Sequence, residues 1–522
     1  MDRIQAGVAS AIVALAMAGC AGTANAPMAS GNCEALKGRQ LGQQQATITD
    51  AAAVAEKDGI PAYCHVNVKL NDSTLRFEGR LPLAGWNGKM VALGGGGFKG
   101  EPFPPTRPFF SPSIISERYA TMATNGGYDA PGARDAKYFR ADFAYDPVKL
   151  ADYTFLSIHR TLPFGKELVQ AFYGAPARKN YFEGCSAGGH EAMMLSQRFP
   201  NDFDGIVARA PAGNFMGLFL QFNRVAKAVL APGGALNPAK QKLLADAVLA
   251  QCDAMDGLAD RIISKPLACK FDPASLRCPG GTDAGDKCLS DAQVHTVRTA
   301  TTGFSTADGA WSHPGYNFGA EDNPTKGWGE YLWPNPAAPM SGRSLQAIFS
   351  EGFVRSFITR DPNLDTMRWN PDEWRAPLHV VGTMFNAFDP DLSGLRARGA
   401  KLILWNGEHD TAVSPRDTVR YYGEVVKKMG QAAADDTVEL FLAPGVGHCS
   451  GGTGPDRTDL MKALVTWAEQ GTPPSRQGVV HTGLDSAGKP VQTRPMCKFP
   501  SYARYKGAGD PNAAESFACS TQ

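Results

Sequence analysis

The feature that most restricts the fold of this chain is the segment Gly184-Cys185-Ser186-Ala187-Gly188, which lies between a predicted strand and a predicted helix. Glycines on both sides of a serine allow a sharp strand-to-helix turn that exposes the hydroxyl at the edge of a sheet. The backbone N–H of Ala187, at the start of the helix, is then free to bind an oxyanion. The motif therefore predicts Ser186 as a nucleophile and Ala187 as an oxyanion donor. Taken alone, it is also compatible with a purely structural turn.

Strand and helix signals alternate along the chain, which is typical of an α/β fold. Residues 214–388 interrupt this alternation with long helical segments and with loops rich in Trp, Pro and Asp. We therefore predict an α/β core in two parts, residues 33–213 and 389–522, and an inserted lid domain at residues 214–388. Strands are predicted at residues 75–81, 89–93, 119–124, 180–183, 205–208, 401–405 and 437–442, and helices at residues 151–173 and from the serine motif to Phe199.

The first 26 residues resemble an export signal. One positive charge precedes an apolar, alanine-rich run at residues 4–19, which is too short for a stable membrane anchor. Two cleavage sites compete, a lipoprotein-type site before Cys20 and an ordinary site after Ala26. We expect an exported protein, either periplasmic, an outer-membrane lipoprotein or secreted, without a transmembrane segment in its body. The 52 basic and 51 acidic side chains nearly balance, which argues against a nucleic-acid partner; the oligomeric state is left open.

Cysteine usage supports export. Removal of Cys20 leaves ten of the eleven cysteines, an even number that allows five disulfides in an oxidising compartment. Short loops close at the least entropic expense, which favours local pairs and leaves Cys185 for Cys449. The connectivity is not fixed by sequence, and buried free thiols remain an alternative. The favoured local pairs are Cys33 with Cys64, Cys252 with Cys269, Cys278 with Cys288, and Cys497 with Cys519.

Partners for the serine follow two later strands. A serine nucleophile needs a base and an orienting carboxylate, and on an α/β-hydrolase core these come in the chain order Ser, Asp, His. Asp410 directly follows the strand at residues 401–405, and His448 directly follows the strand at residues 437–442. We therefore predict a Ser186–His448–Asp410 triad. Glu408 is the alternative acid and His409 the alternative base.

Two further segments are candidate binding elements. The four glycines at residues 94–97 follow a predicted strand and would let the backbone approach a substrate oxygen, so Gly96 is the candidate second oxyanion donor. A flexible turn is the alternative. Residues 252–262 carry three carboxylates around a glycine, an oxygen-rich set suited to calcium. A solvated acidic turn is the alternative there.

These motifs together resemble the tannase and feruloyl esterase family, which also contains the bacterial mono-hydroxyethyl terephthalate hydrolase. The resemblance rests on residues 181–191, 197–200 and 204–212, and on a CS-D-HC signature matched by Cys185-Ser186, Asp410 and His448-Cys449. It implies a disulfide between the two cysteines beside the catalytic Ser and His. It also implies a structural Ca²⁺ in the lid, held by Asp253, Asp256, Leu258, Asp260 and Ile262.

The family resemblance implies a serine esterase that cleaves small esters of aromatic, usually phenolic, acids. An aromatic diacid monoester hydrolase of the mono-hydroxyethyl terephthalate type, and a non-catalytic exported binding protein on the same scaffold, are the alternatives. The acid would bind between the core and the lid. Candidate contacts there are Phe349, Phe353, Phe357, Trp369, Arg355 and Arg360.

Overall fold

A ten-stranded sheet forms the centre of the protein in the computed structural model, which describes residues 32–130, 136–334 and 342–521. The predicted leader and Cys20 lie outside these residues. The strands of the sheet are β1 (Gln40–Leu41), β2 (Ala46–Val54), β3 (Tyr63–Leu70), β4 (Arg76–Pro82), β5 (Lys89–Leu93), β6 (Ala120–Thr124), β7 (Lys179–Cys185), β8 (Gly205–Arg209), β9 (Lys401–Gly407) and β10 (Val438–Ala443).

The strand order is β1-β2-β3-β4-β6-β5-β7-β8-β9-β10. Pairing is antiparallel from β1 to β4 and between β4 and β6, and parallel across the rest of the sheet. Strands β6 and β8 are buried along their whole length, as expected for parallel strands covered by helices on both faces. The predicted α/β-hydrolase core is confirmed. Sequence reasoning missed β1 to β3, the antiparallel edge of the sheet.

The helices cover both faces of the sheet and fill the long connection between β8 and β9. The longer ones are α1 (Ser157–Tyr173), α2 (Ala187–Arg198), α3 (Phe215–Leu230), α4 (Pro238–Cys252), α5 (Asp291–Thr301), α6 (Leu345–Gly352), α7 (Arg375–Phe385), α8 (Pro415–Met429), α9 (Gln431–Thr437) and α10 (Leu460–Gln470). Helices of four or five residues lie at Ser113–Ser116, Ala136–Arg140, Pro147–Ala151, Trp328–Tyr331 and Ser393–Ala397. Short strand pairs join Phe304–Ser305 to Ser312–His313, Val480–Leu484 to Pro490–Pro495, and Tyr502–Tyr505 to Phe517–Ser520.

The helix predicted at residues 151–173 begins earlier and is not uniform. The Asp146 carboxylate caps a short helix by accepting the N–H groups of Val148 and Lys149. A π-helical turn at Asp152–Leu156 follows before α1 begins at Ser157. The spacing of hydrophobic residues does not distinguish the short helix, the π-helical turn and α1 from one continuous helix. A π-helical turn keeps the side chains on an apolar face but rotates that face around the helix axis.

The connection between β8 and β9 is the largest departure from a plain layered fold. The two strands pair in parallel from Gly205–Lys401 to Arg209–Trp405, although residues 210–400 lie between them. No described residue of this connection, here called the lid insertion, joins the central sheet. The predicted lid boundaries, residues 214–388, fall inside it. Phe98, from the loop after β5, stacks on Phe219 of α3 at 5.9 Å between ring centroids, so the core and the lid insertion share one apolar cluster.

Five disulfides connect the ten cysteines of the described chain. Cys185 is joined to Cys449, and the four local pairs are those expected from loop closure. Within the described ranges, every helix is either too short or too polar to span a bilayer.

Candidate active site

Ser186 occupies the turn between β7 and α2. Its backbone has φ 63° and ψ −118°, a strained conformation for a residue with a side chain. The glycines on both sides of Ser186 have no room for a side chain. A Cβ on Gly184 would lie 2.4 Å from the carbonyl oxygen of Gly188. A Cβ on Gly188 would lie 2.7 Å from the carbonyl oxygen of Gly95. The turn is therefore held between the following helix and the loop after β5, with the hydroxyl exposed at its apex.

Ser186, His448 and Asp410 form one hydrogen-bonded chain. His448 Nε2 lies 2.9 Å from Ser186 Oγ, and His448 Nδ1 lies 2.9 Å from Asp410 Oδ2. The Ser186 hydroxyl is partly exposed, whereas the other two side chains are buried. This is the arrangement in which the imidazole accepts the serine proton and the carboxylate fixes its tautomer. The structure thus brings together the three residues singled out from the sequence.

The second oxygen of Asp410 is held by backbone donors. Asp410 Oδ1 accepts the N–H groups of Ala412 at 2.8 Å and Val413 at 2.9 Å, so the carboxylate has fixed partners on both oxygens. The alternatives do not face the imidazole. The ring nitrogens of His409 and Glu408 Oε2 are buried without a hydrogen-bond partner among the described residues, and burial lowers the pKa of His409 to about 4.

The Cys185–Cys449 disulfide joins the residue before the nucleophile to the residue after the base. Both cysteines line the cavity at the catalytic serine. The bond links the end of β7 to the loop after β10, and it therefore limits changes in the distance between Ser186 and His448.

Backbone of two segments lies beside Ser186. Ala187 is the first residue of α2, so its N–H has no partner within the helix. Gly94 contacts α2 so closely that a Cβ there would lie 2.6 Å from Gly188 Cα. Gly96, two residues further along this loop, lines the cavity beside Ser186. Ala187 and Gly96 are thus both placed at the serine, as an oxyanion site requires.

A cavity of about 470 Å³ opens at Ser186 and His448. Its wall is largely aromatic. The aromatic side chains come from the loop after β5, the short helices at Ala136–Arg140 and Trp328–Tyr331, the π-helical turn at Asp152–Leu156, α3 and α6. The aromatic lining residues are Phe103, Phe109, Tyr138, Phe139, Tyr153, Phe215, Phe219, Phe222, Tyr331 and Phe349. The volume and composition suit a compound with a single aromatic ring.

Three predicted substrate contacts lie behind this wall. The Phe353 ring stacks on Phe219 at 4.4 Å, and the Phe357 ring contacts Phe385 edge-on at 5.2 Å. Both rings are buried in the shared apolar cluster, away from the cavity surface. Arg355 pairs with Glu351 and donates to the carbonyl of Leu364 at 2.9 Å.

The physical reason is a change of helix type that the sequence does not signal. Phe349, Phe353 and Phe357 have the spacing of one α-helical face, but α6 ends at Gly352 and a π-helical segment covers Phe353–Thr359. The wider turn moves the later side chains around the axis. Only Phe349 lines the cavity. Of the other two candidates, Trp369 is buried and Arg360 donates to the Ala144 carbonyl at 3.1 Å.

One part of the cavity is polar and belongs to the lid insertion. Lys326 Nζ lies 3.2 Å from Glu330 Oε1, and Glu330 Oε2 is buried without a hydrogen-bond partner among the described residues. Burial raises the pKa of Glu330, and the nearby Lys326 opposes this increase. The next residue, Tyr331, meets the His448 ring edge-on at 5.3 Å. Sequence reasoning missed the Lys326–Glu330 pair. The signal that could have indicated it is two opposite charges four residues apart in an aromatic segment.

The acidic loop predicted to hold calcium forms a compact turn after α4. Asp253 and Asp256 are buried, and Asp253 Oδ1 has no hydrogen-bond partner in the described structure. Asp260 Oδ2 instead accepts from Arg494 at 2.6 Å. With the side chains in this arrangement, no three acidic, His or Cys groups of the described chain form a metal-binding cluster. The unpartnered Asp253 oxygen is nevertheless the type of ligand that a hard cation takes, and the carbonyl oxygens of Leu258 and Ile262 in the same turn are of that type too.

Comparison with known proteins places the chain in a family. The profile described as tannase and feruloyl esterase matches residues 63–520. The mono(2-hydroxyethyl) terephthalate hydrolase of Piscinibacter sakaiensis is 32% identical over 94% of this chain and 92% of its own length. Feruloyl esterase B of Aspergillus niger is 27% identical over 92% of this chain and 91% of its own length.

Solved structures agree on the fold. Feruloyl esterase B from Aspergillus oryzae superposes with a TM-score of 0.79 at 23% identity, covering 94% of this chain and 99% of that one. Tannin acyl hydrolase from Aspergillus niger superposes with a TM-score of 0.70 at 20% identity, covering 94% of each chain. Because the matching family model and the curated relatives are ester hydrolases, the alternative of a non-catalytic binding protein is wrong. The chain belongs to the tannase and feruloyl esterase family and is a carboxylic ester hydrolase.

Proposed function

We propose that this protein hydrolyses small esters of phenolic aromatic acids through an acyl-enzyme formed on Ser186. The observation that carries the proposal is the position of the triad, because Ser186 and His448 open directly onto a cavity walled by phenylalanine side chains. Feruloyl and tannin esterases among the similar proteins support the same substrate class.

The first half-reaction forms the acyl-enzyme. Ser186 Oγ attacks the ester carbonyl carbon while His448 Nε2 takes the hydroxyl proton. The carbonyl oxygen becomes negative and is stabilised by the N–H groups of Ala187 and Gly96. Asp410 keeps the proton on His448 Nδ1 and stabilises the imidazolium. The first half-reaction ends when the C–O bond to the alcohol breaks and His448 returns its proton to the leaving oxygen, which leaves the acyl group on Ser186.

The second half-reaction releases the acid. Water attacks the acyl carbon while His448 accepts a proton from it, and the bond to Ser186 Oγ then breaks as His448 gives this proton back to the serine oxygen. The aromatic ring of the acid packs among Phe215, Phe219 and Phe349 during both steps.

A second candidate is hydrolysis of an aromatic diacid monoester. It is favoured by the relative that is named for mono(2-hydroxyethyl) terephthalate and is 32% identical to this chain. A free carboxylate on such a substrate needs a cation, and Arg107 lies at the cavity next to Phe103. The Arg107 side chain is 44% exposed, and its partner Glu101, at 3.8 Å, is exposed as well. Binding of a substrate carboxylate to Arg107 would therefore break no buried ion pair.

One experiment separates the two candidates. Release of free acid is measured from methyl ferulate, methyl gallate, methyl caffeate and mono(2-hydroxyethyl) terephthalate, using the purified oxidised protein and its Ser186→Ala variant. We expect phenolic esters to react fastest and the variant to lose at least about a thousandfold in kcat. Faster terephthalate monoester turnover, reduced by Arg107→Met, would favour the second candidate. Hydrolysis that survives in the variant would contradict the mechanism.

We further propose an exported protein with a structural Ca²⁺ in the lid insertion. Five disulfides support folding in an oxidising compartment. Asp253 and Asp256 would hold the ion together with the carbonyl oxygens of Leu258 and Ile262, and Asp260 would need to turn from Arg494 to join them. The ion would stabilise the loop and take no part in ester cleavage.

A further inference from the structure

A buried ion pair lies directly beneath the glycine loop that follows β5. The side chains of Lys99 and Glu191 are 1% and 4% exposed, and Lys99 Nζ contacts Glu191 Oε1. Lys99 belongs to the loop, whereas Glu191 belongs to α2, the helix that begins immediately after Ser186. Lys99 Nζ also donates to the Tyr153 carbonyl at 3.2 Å. The pair therefore connects the oxyanion loop to the nucleophile helix.

Glu191 also holds the backbone of the loop. Its Oε2 accepts the N–H of Gly95 at 3.0 Å, and its Oε1 accepts the Ser157 hydroxyl at 3.3 Å. Both oxygens of the carboxylate are thus occupied, one by the loop backbone and the other by side chains. Gly95 immediately precedes Gly96, so this hydrogen bond fixes the peptide next to the proposed oxyanion donor.

The loop needs such a restraint because its own sequence supplies little. Residues 94–97 are all glycine, and Gly97 and Lys99 have φ values of 53° and 55°. Glycine visits many backbone conformations, so the loop alone does not select the one that aims an N–H at the substrate. An oxyanion donor is effective only when held within about 0.5 Å of its productive position.

We infer that Glu191 is a positioning residue for the oxyanion hole: its carboxylate holds the Gly95 N–H and thereby sets the direction of the Gly96 N–H, with Lys99 compensating the buried charge. This inference rests on the proposed function, because it assigns a role in stabilising the tetrahedral intermediate on Ser186.

A purely structural role is the competing explanation, and two double variants separate it from positioning. Lys99→Met/Glu191→Leu replaces the charges by apolar groups of similar size and removes the acceptor for the Gly95 N–H. Lys99→Met/Glu191→Gln also removes both charges but keeps an amide oxygen that can accept this N–H. Neither variant leaves an unpaired buried charge, so both are expected to fold.

The readout is transition-state binding rather than stability. We measure kcat and KM on the fastest ester, the affinity for an aryl boronic acid that adds to Ser186 Oγ as a tetrahedral anion, and the affinity for the product acid. In the leucine variant we expect kcat and boronate affinity to fall together by about ten- to a hundredfold. This is less than the roughly hundred- to thousandfold loss for removal of an oxyanion donor, because the Gly96 N–H is misdirected but still present. KM and product affinity should stay within about twofold, since they report ground-state binding. The glutamine variant should recover most of the loss.

Unfolding midpoints and near-ultraviolet circular dichroism confirm folding of both variants before the comparison. Unchanged kcat and boronate affinity in a folded leucine variant would overturn the inference, as would equal losses in both variants. The proposed function fails separately if the wild-type protein cleaves no ester of the panel. Boronate affinity still tests the inference in that case, because it needs only Ser186 and the oxyanion donors.

Discussion

Two lysine–glutamate pairs near the catalytic serine differ in how completely their charges are satisfied. Lys99–Glu191 is buried, and both oxygens of Glu191 have hydrogen-bond partners. Lys326–Glu330 lines the cavity with side chains 37% and 21% exposed, and one oxygen of Glu330 is buried without a partner among the described residues. The first pair is suited to hold a backbone segment in place. The second can still accept a hydrogen bond from a molecule in the cavity.

The largest expected difference between the pairs is in stability. Lys99→Met leaves the Glu191 charge buried and unpaired, and we expect it to lower the free energy of unfolding by about 3–5 kcal/mol. Lys326→Met removes a half-exposed partner and should change this free energy by less than about 1 kcal/mol. Urea unfolding of both variants measures the difference. Equal effects would show that burial does not distinguish the pairs.

The buried carboxylates of the acidic turn provide a second contrast. Asp253 and Asp256 are buried side by side in the acidic turn, and the proposed calcium would supply their counter-charge. At a free Ca²⁺ concentration about 100 times its Kd, binding should raise the free energy of unfolding by about 2.7 kcal/mol. Chelation followed by Ca²⁺ or Mg²⁺ addition, monitored by the thermal midpoint, tests this. Asp256→Asn should abolish the response, and a chelation effect that persists there would exclude this loop.

Glu321 sharpens the comparison because it is buried, accepts a backbone N–H from Gly319, and has no paired cation in the described chain. Burial raises its pKa from 4.5 to about 7. Between these values the unfolded state loses its proton while the folded state keeps it, so this group reduces stability as the pH rises. Above pH 7 Glu321 lowers the free energy of unfolding by its full amount, and below about pH 4.5 it no longer lowers it.

Glu321→Gln should therefore raise the free energy of unfolding by on the order of 2 kcal/mol at pH 8 and by little at pH 4.5. The glutamine oxygen can still accept the Gly319 N–H, so the packing is kept. Urea titrations of the variant and the parent at the two pH values give the difference. An equal gain in the free energy of unfolding at both pH values would mean that protonation of Glu321 is not responsible for it.

The smallest effect concerns Glu330. In the proposed mechanism His448 protonates the leaving alcohol, so we expect the polar cavity wall beside it to contact the alcohol rather than the acid. Glu330→Met removes the free acceptor, and the ratio of kcat/KM for dihydroxypropyl over propyl esters of one acid should fall by roughly fivefold. Asp246→Asn is the matched control, because Asp246 forms an exposed pair with Lys242 at the same four-residue spacing. A ratio that changes equally in both variants would contradict a contact with the alcohol.

The triad was accessible from the sequence because each member lies in a short motif directly after a strand. The strand at Lys89–Leu93 has the predicted bounds, and the ends of the other predicted strands differ by at most two residues. The oxyanion loop at Gly94 to Gly97 could be predicted for the same reason, because a run of glycines directly after a strand indicates a close approach of the backbone. Such features depend on local backbone geometry, which the sequence encodes within a few positions.

The cavity wall could not be predicted in the same way. Phe139, Phe219 and Phe349 come from three separate helices, and their meeting depends on how the lid insertion packs against the core. Glu191 carried no visible signal either, because an acidic residue in a helix is usually solvated. Its role arises from Gly95, a residue far away in the chain but adjacent in space. Long-range contacts of this kind are specified by packing rather than by local pattern.

The Cys185–Cys449 bond also changes what a protease can do to this protein. The two cysteines enclose every residue from Ser186 to His448, so the whole lid insertion lies within one covalent ring. A single cut anywhere in that ring opens it but leaves both fragments joined, with the nucleophile and the base still attached on either side of the same sulfur–sulfur bond. Nicked protein should therefore keep its two catalytic loops together until a reductant separates them.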